Sequence, residues 1–216
     1  MLTGSRKILL IGGGGHCRSV ADALIRSDQY DAIGIVDKHA DDSEKMFGKI
    51  PVVGVDDDLP ILKKDGWNFA FVTVGSVGNT DLRRKLFSGI ASLGFRIPNI
   101  ADPSAVVSEN STFGKGIFIG KNTIVNAGSV IGDAAILNTS SVIEHDCQIG
   151  AFVHVSPGAV LCGGVRVGDD AHIGARAVVK QYLTIGDKSI VGMGSVVIRD
   201  IGSDVTVVGC PAKPVV

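Results

Sequence analysis

The second half of the chain carries a branched or aromatic apolar residue at every sixth position. The series runs from Val107 to Val197, and all 16 members are Val, Ile, Leu or Phe. A six-residue period fits neither an α-helix nor a simple alternating strand. It is typical of short strands joined by tight corners, where three sides close one triangular coil. The pattern therefore predicts a parallel β-helix.

Two other positions of each six-residue unit agree with this prediction. The fourth residue after the apolar position is small in 13 of 15 units, with Ile117 and Leu183 as the exceptions, as expected for a side chain pointing inward near a corner. The residue directly after the apolar position is Gly in eight units. We expect Gly there because it lets the backbone turn without a Cβ penalty. The flat faces of such a thin prism favour association with copies of the same chain.

The first hundred residues show a different pattern, in which apolar strands alternate with amphipathic helices. We predict strands at residues 7–11, 32–36 and 69–74, and helices at 16–27 and 80–93. This alternation predicts a Rossmann-like parallel α/β sheet, whose ligands lie beyond the carboxyl ends of its strands. The glycine loop 12–16, Asp37 and Gly75 fall at those ends. Backbone N–H groups of the loop can bind phosphate, and Asp37 can accept hydrogen bonds from a ribose or a uracil.

The glycine loop leaves its own function open. Cys17 stands where the third glycine of a GxGxxG motif would be, and such a loop alone does not identify a nucleotide, so a purely structural role remains an alternative. A nicotinamide-dependent dehydrogenase is disfavoured because no second α/β domain follows. We place the domain boundary near residues 98–103, giving an N-terminal domain of residues 1–100 and a β-helix domain of residues 101–216.

Composition narrows the class of function. Hydrophobic residues make up 45% of the chain, which excludes a disordered protein. The 21 basic and 22 acidic residues give a net charge of −1, so nucleic acid is not an expected partner. No apolar run approaches the roughly 18 residues of a membrane span. The four cysteines have no CxxC spacing, and a reducing cytoplasm is the expected location.

Three of the five histidines lie in the repeat. His145 falls near a predicted corner, between Glu144 and Asp146, while His154 and His172 are 18 residues apart and should stack one coil above the other. A histidine beside a carboxylate suits a general base at neutral pH. A solvated surface histidine and a three-histidine metal site are the alternatives; a metal is not expected, because a second, closely spaced histidine pair is absent.

Three segments together resemble the sugar O/N-acyltransferases with hexapeptide repeats: residues 137–147 (LNTSSVIEHDC), 152–159 (FVHVSPGA) and 208–213 (VGCPAK). That family includes bacillosamine-pathway acetyltransferases acting on UDP-4-amino sugars, perosamine N-acetyltransferases and sialic acid O-acetyltransferases. The resemblance covers nearly the whole chain. It implies a left-handed β-helix, a homotrimer and acetyl-CoA as co-substrate.

Matched by motif, the resemblance also implies site residues. His145 would be the catalytic base, supported by Asp146. Acetyl-CoA would be contacted by His154, Gly163, Ala175 and Met193, where Met193 replaces an expected glycine. The nucleotide sugar would be bound by Gly14, Gly15, His16, Asp37, Lys38 and Gly75.

The function implied is transfer of an acetyl group to the 4-amino group of a nucleotide-linked amino-deoxy sugar, with UDP favoured over GDP. Two alternatives remain at this point. One is an O-acetyltransferase acting on a hydroxyl of a sialic-acid-like sugar, and the other is a non-catalytic β-helix scaffold.

Overall fold

The chain forms two compact units in the computed structural model, which describes residues 5–38 and 50–215. One unit comprises the chain up to Gly75 together with Asp81–Ile100. The other comprises the short segment Ser76–Thr80 and the chain from Ala101 onward.

The first unit is a four-stranded parallel sheet with helices, as the alternating pattern predicted. The strand order is β3-β2-β1-β4. The strands are β1 Lys7–Ile11, β2 Ala32–Val36, β3 Val52–Gly54 and β4 Trp67–Val72. The helices are α1 Gly15–Ser27, α2 Leu59–Lys64 and α3 Asp81–Ser92, with a 3₁₀ turn at Asp56–Asp58.

The predicted element bounds are close to those observed, with small differences. β4 begins and ends two residues earlier than predicted, and α1 begins at Gly15 rather than at residue 16. β3 and α2 were not predicted from the sequence. The helix α1 packs because Cys17, Val20 and Leu24, which recur at helical spacing, are buried on one of its faces.

The second unit is a left-handed parallel β-helix built from three sheets. Sheet 1 contains β6 Val106–Val107, β9 Ile124–Val125, β12 Val142–Ile143, β15 Val160–Leu161, β18 Val178–Val179 and β21 Val196–Val197. Sheet 2 contains β7 Thr112–Phe113, β10 Val130–Ile131, β13 Gln148–Ile149, β16 Arg166–Val167 and β19 Thr184–Ile185. Sheet 3 contains β5 Ile100–Ala101, β8 Phe118–Ile119, β11 Ile136–Leu137, β14 His154–Val155, β17 His172–Ile173, β20 Ile190–Val191, β22 Thr206–Val208 and the antiparallel β23 Lys213–Pro214.

The chain passes from sheet 1 to 2 to 3 and back, so each coil has three corners. We name them corner A (sheet 1 to 2), corner B (sheet 2 to 3) and corner C (sheet 3 to 1). Along the chain, every sixth residue from Gly116 to Gly194 has a φ between 53° and 76°, and these residues form the corners. Most of them are not glycine.

The prism interior confirms the predicted inward positions. The sixth-position residues from Ile119 to Val197 are at most 4% exposed, and small residues such as Ser129, Ala135 and Ser195 fill the corners with no exposed surface. One explanation from the sequence was wrong. The glycine that follows the apolar residue in eight units is not the residue that turns the chain. It is needed because the next coil packs directly against it: a Cβ on Gly132 would lie 2.6 Å from the backbone nitrogen of Ala151. The left-handed φ falls two residues later.

Candidate active site

His145 and Asp146 form a hydrogen-bonded pair at corner A, between β12 and β13. The Nδ1 atom of His145 is 2.8 Å from Oδ2 of Asp146. Consecutive residues on a straight strand point in opposite directions. The left-handed φ of 60° at Asp146 breaks this alternation, so both side chains share one side of the corner. Because a carboxylate only accepts hydrogen bonds, Nδ1 carries a proton, and in the neutral imidazole Nε2 therefore carries the lone pair.

The second neighbouring acid makes a different contact. Oε2 of Glu144 accepts a hydrogen bond from the backbone N–H of His145 at 3.3 Å. Asp146 is therefore the acid that orients the imidazole, while Glu144 contacts the backbone behind it.

Two glycines leave room for this pair. One coil further along the chain, a Cβ on Gly163 would lie 2.6 Å from Cε1 of His145. One coil earlier, a Cβ on Gly128 would lie 3.4 Å from Cγ of Asp146. The side chains of His145 and Asp146 remain 53% and 69% exposed, so the imidazole that packs on Gly163 is accessible from the solvent side of corner A.

Two other predicted residues meet at a different corner. Ala175 and Met193 line an open groove at corner C together with Pro157, Arg176 and Gly194. The Met193 side chain is 82% exposed. Within one chain, Gly163 lies beside His145 at corner A, and Ala175 lies beside Met193 at corner C. Sheet 1 separates the two corners, so a single chain does not bring these two pairs together.

His154 lies on the outer side of sheet 3, which does not adjoin corner A. It is paired in register with His172, as the 18-residue spacing predicted, and the two rings pack edge to face at 5.0 Å. Nδ1 of His154 donates to the Ser76 carbonyl at 2.9 Å, and the side-chain amide of Asn138 donates to Nε2 at 3.3 Å. Both ring nitrogens therefore have partners within the second unit.

Burial changes the chemistry of His172. Desolvation, followed by the neighbouring His154, lowers the pKa of His172 from 6.5 to about 4. Its Nε2 atom is 3.3 Å from Oγ of Ser156. His172 is therefore neutral at physiological pH.

The glycine loop of the first unit lies beyond the carboxyl end of β1. The backbone N–H of Gly13 donates to Oδ2 of Asp37 at 2.5 Å, so Asp37 contacts the loop. Within residues 5–38 and 50–215, a Cβ on Gly14 or on Gly15 would meet no atom closer than 4 Å. The space around these two residues is therefore open to a ligand.

The remaining predicted residues of this unit lie at neighbouring strand ends. Lys38 is exposed directly after Asp37, and a Cβ on Gly75 would be 3.7 Å from Cβ of His16. The structure thus brings Gly14, Gly15, His16, Asp37, Lys38 and Gly75 to one edge of the sheet.

Other kinds of site find little support in the described ranges. Burial raises the pKa of Cys17 and of Cys147 to about 11, which makes both thiols poor nucleophiles. No three or more His, Cys, Asp or Glu side chains converge in an arrangement able to hold a metal ion within residues 5–38 and 50–215. Among the helices described, none combines the length and apolar character that crossing a bilayer requires.

The sequence analysis missed two residues beside these sites. Tyr182 is 74% exposed, and Cε1 of its ring lies 2.7 Å from where a Cβ of Gly164 would be, next to Gly163. Arg176 lies on the corner C groove. The 18-residue coil period provides the signal for both, since it places Asp146, Gly164 and Tyr182 in one column and Gly158, Arg176 and Gly194 in another.

Comparison with known families identifies both halves of the chain. Residues 7–90 match the PglD N-terminal domain. Residues 146–181 match the bacterial transferase hexapeptide (six repeats), and residues 164–199 match the hexapeptide repeat of succinyl-transferase.

Solved structures resemble the chain over nearly its full length. A histidine-to-asparagine variant of perosamine N-acetyltransferase from Caulobacter crescentus, in complex with CoA and GDP-perosamine, is 39% identical with a TM-score of 0.88, covering 99% of this chain and 97% of that one. The acetyltransferase domain of PglB from Neisseria gonorrhoeae, in complex with acetyl coenzyme A, is 36% identical with a TM-score of 0.90, covering 98% and 100%. WeeI from Acinetobacter baumannii is 27% identical with a TM-score of 0.85, covering 98% and 100%.

Proposed function

Because the chain belongs to the sugar acyltransferase family with a PglD-type N-terminal domain and hexapeptide repeats, and is an acetyl-CoA-dependent acetyltransferase, we propose that its acceptor is the 4-amino group of a nucleotide-linked amino-deoxy sugar. His145 is the general base of this reaction. The observation that carries the proposal is the His145–Asp146 pair, whose imidazole packs on Gly163 and remains half exposed at corner A.

The pair supplies proton transfer. As the acceptor nitrogen attacks the thioester carbonyl of acetyl-CoA, Nε2 of His145 takes a proton from that nitrogen. The new C–N bond forms, the C–S bond breaks, and the proton on Nε2 passes to the departing thiolate, so the thiol leaves and the histidine is neutral again. Asp146 holds Nδ1–H and stabilises the imidazolium between these two transfers. General base catalysis of this kind contributes about 10²–10⁴ in rate.

The first unit provides a remote handle for the acceptor. An amino sugar offers few strong contacts, whereas its nucleotide offers phosphates and a base. The glycine loop has open space around Gly14 and Gly15, and Asp37 stands beside it. Binding the nucleotide there supplies affinity for the acceptor that the amino sugar alone does not provide. The preference for UDP over GDP stays a prediction, and the GDP-perosamine bound by the Caulobacter relative weighs against it.

The outer side of sheet 1 supports self-association. Its outward residues follow one another in strict register from strand to strand, and all are apolar: Val106, Ile124, Val142, Val160, Val178 and Val196. We call this set the sheet 1 ladder. A continuous apolar ladder on an exposed face favours burial against a second chain.

The ladder is bordered by corners A and C, which carry the two halves of the candidate site. A homotrimer packed through this face brings corner A of one copy towards corner C of the next. Each site then combines His145 and Gly163 from one copy with Ala175 and Met193 from another. The acetyl-CoA contact of His154 stays a prediction from the resemblance, and both ring nitrogens of His154 already have partners within the chain.

A thiol-release assay across a panel of sugars tests the proposal. The panel contains UDP- and GDP-linked 4-amino-6-deoxy sugars, their 4-hydroxy counterparts, and free and CMP-linked sialic acids. We expect CoA release with a nucleotide-linked 4-amino sugar only. Release with a sialic acid hydroxyl would replace this proposal by O-acetylation, and absence of release with every acceptor would contradict it.

A further inference from the structure

Corner C presents two parallel columns of residues, each stepping by one coil. The first column is apolar and contains Pro157, Ala175 and Met193. The second contains Gly158, Arg176 and Gly194, all with left-handed φ. Arg176 is thus the one residue of its column with a long side chain, and it lies on the same groove as Ala175 and Met193.

The glycines on either side leave the Arg176 side chain accessible. A Cβ on Gly158 would contact Cγ of Arg176 at 3.4 Å, so the arginine extends over the bare backbone of the preceding coil. Arg176 is exposed, and among the described residues a Cβ on Gly194 would meet no atom within 4 Å, so the following coil has no side chain at this position to cover the arginine. In the part of the chain that the structure describes, the guanidinium makes no hydrogen bond or ion pair.

The charge distribution of the three corners is uneven. At the equivalent positions, corner A carries Glu109, Glu144 and Asp146 with one cation, Lys180. Corner B carries Asp133, Asp169, Asp170 and Asp187 with Lys115 and Lys188, so each of these two corners has a net charge of −2. The five coil positions of corner C, residues 120–122, 138–140, 156–158, 174–176 and 192–194, contain no carboxylate, and their charged residues are Lys121 and Arg176. Corner C is therefore the edge of the prism that favours an anion.

We propose that Arg176 binds a phosphate group of CoA while the apolar column of Pro157, Ala175 and Met193 holds the pantetheine arm. The inference rests on the proposed placement of acetyl-CoA along corner C. The guanidinium is suited to phosphate because its planar donors match two phosphate oxygens at once. Its place beside an otherwise uncharged groove matches a ligand that is uncharged along its arm and anionic at its far end.

Kinetics with two acetyl donors test this assignment. S-acetyl-pantetheine lacks the 3′-phosphate and the diphosphate of acetyl-CoA but keeps the reacting thioester. Arg176→Gln should raise the KM for acetyl-CoA about ten-fold, the loss expected for one charge-assisted hydrogen bond. The KM for S-acetyl-pantetheine and the KM for the sugar should stay unchanged. Arg176→Lys should fall between wild type and Arg176→Gln.

Arg166→Gln is the matched control, because Arg166 is an exposed arginine on the outer side of sheet 2, away from the groove. It should leave both donors unaffected. An unchanged KM for acetyl-CoA in Arg176→Gln, or an equal rise for both donors, would overturn the proposal. Thermal unfolding of each variant identifies any loss of fold.

Calorimetry without an acceptor separates this inference from the proposed function. If wild type binds CoA but not pantetheine, and Arg176→Gln binds CoA more weakly, the phosphate contact is supported, even if no nucleotide amino sugar is acetylated. Equal affinity of wild type for CoA and pantetheine overturns it, even if the sugar is acetylated.

Discussion

The imidazole of His145 occupies the space beside Gly163 that any other residue would fill with its own side chain. Cε1 of His145 lies 2.6 Å from the position of a Cβ on Gly163. The two residues are 18 positions apart, so consecutive coils place them together at corner A. The proposed general base and the surface over which the thioester is proposed to lie are therefore built by neighbouring coils at the same corner of the β-helix.

Substituting Gly163 tests this relationship. In Gly163→Ala the new methyl group displaces the imidazole from Asp146, and we expect kcat to fall on the order of 100-fold, the scale of lost general base catalysis. Far-ultraviolet circular dichroism should be unchanged because the side chain that moves is exposed. Gly202→Ala is the control, since its Cβ would meet no atom within 4 Å, and it should keep wild-type turnover. Wild-type kcat in Gly163→Ala would contradict the placement of the base.

The glycine loop of the first unit should tolerate a side chain but not a side chain and a ligand together. In Gly15→Val we expect normal folding, because a Cβ there meets no atom within 4 Å. The KM for the nucleotide sugar should rise about ten-fold or more, because the valine side chain blocks the approach of a phosphate to the loop N–H groups. The KM for acetyl-CoA should stay the same. Gly89→Ala in α3, equally free of clashes, should change neither constant. An unchanged sugar KM in Gly15→Val would indicate a purely structural loop.

The sheet 1 ladder should control assembly. Val178, 36% exposed in the single chain, is replaced by Asp, which places a charge in the middle of the ladder. We expect the proposed trimer to form in wild type and to dissociate in this variant, as measured by light scattering after gel filtration, because burying an unpaired charge at an interface is unfavourable. Gln148→Asp on the outer side of sheet 2 should remain trimeric. A trimeric Val178→Asp variant would place the interface elsewhere.

Mixed assemblies test whether each site is shared. His145→Ala lacks the base, and Met193→Trp fills the corner C groove, so we expect each variant alone to be inactive. Co-expression should restore part of the activity, because some interfaces pair an intact corner A with an intact corner C. Mixtures as inactive as their components would mean that one chain holds the whole site.

The buried His172 should make folding sensitive to acid. Its pKa is about 4 in the folded protein and 6.5 when exposed, so the unfolded chain binds more protons between these values. The free energy of unfolding therefore falls as the pH decreases from about 6.5 to 4, by on the order of 2 kcal/mol. Denaturant titrations across this range should show a smaller fall for His172→Phe, which keeps a ring against His154 but cannot be protonated. An equal fall in both proteins would assign the effect to other groups.

The sequence predicted most accurately what depends on local spacing. Each coil repeats the same steric demands, so apolar residues such as Ile143 and small ones such as Ser141 could be placed inside the prism from their positions alone. The contact between His145 and Asp146 also follows from a local feature, the left-handed corner.

Features that depend on contacts distant in sequence were not predicted. The hydrogen bond from His154 to Ser76 joins residues 78 positions apart, and nothing in the repeat signals it. The short β3 and α2 carry too few residues to show a period. The role of Gly132 and its equivalents was misassigned because the clash they avoid is with the next coil, which the pattern of one unit does not reveal.

The central claim is that Nε2 of His145 removes the proton from the acceptor amine. Its most direct test is the turnover of His145→Ala with acetyl-CoA and the nucleotide-linked 4-amino sugar that wild type prefers. Turnover is measured as the rate of thiol release. We predict that kcat falls by about 10²–10⁴ while the KM for both substrates changes little. A variant that loses only a few-fold in kcat would contradict it.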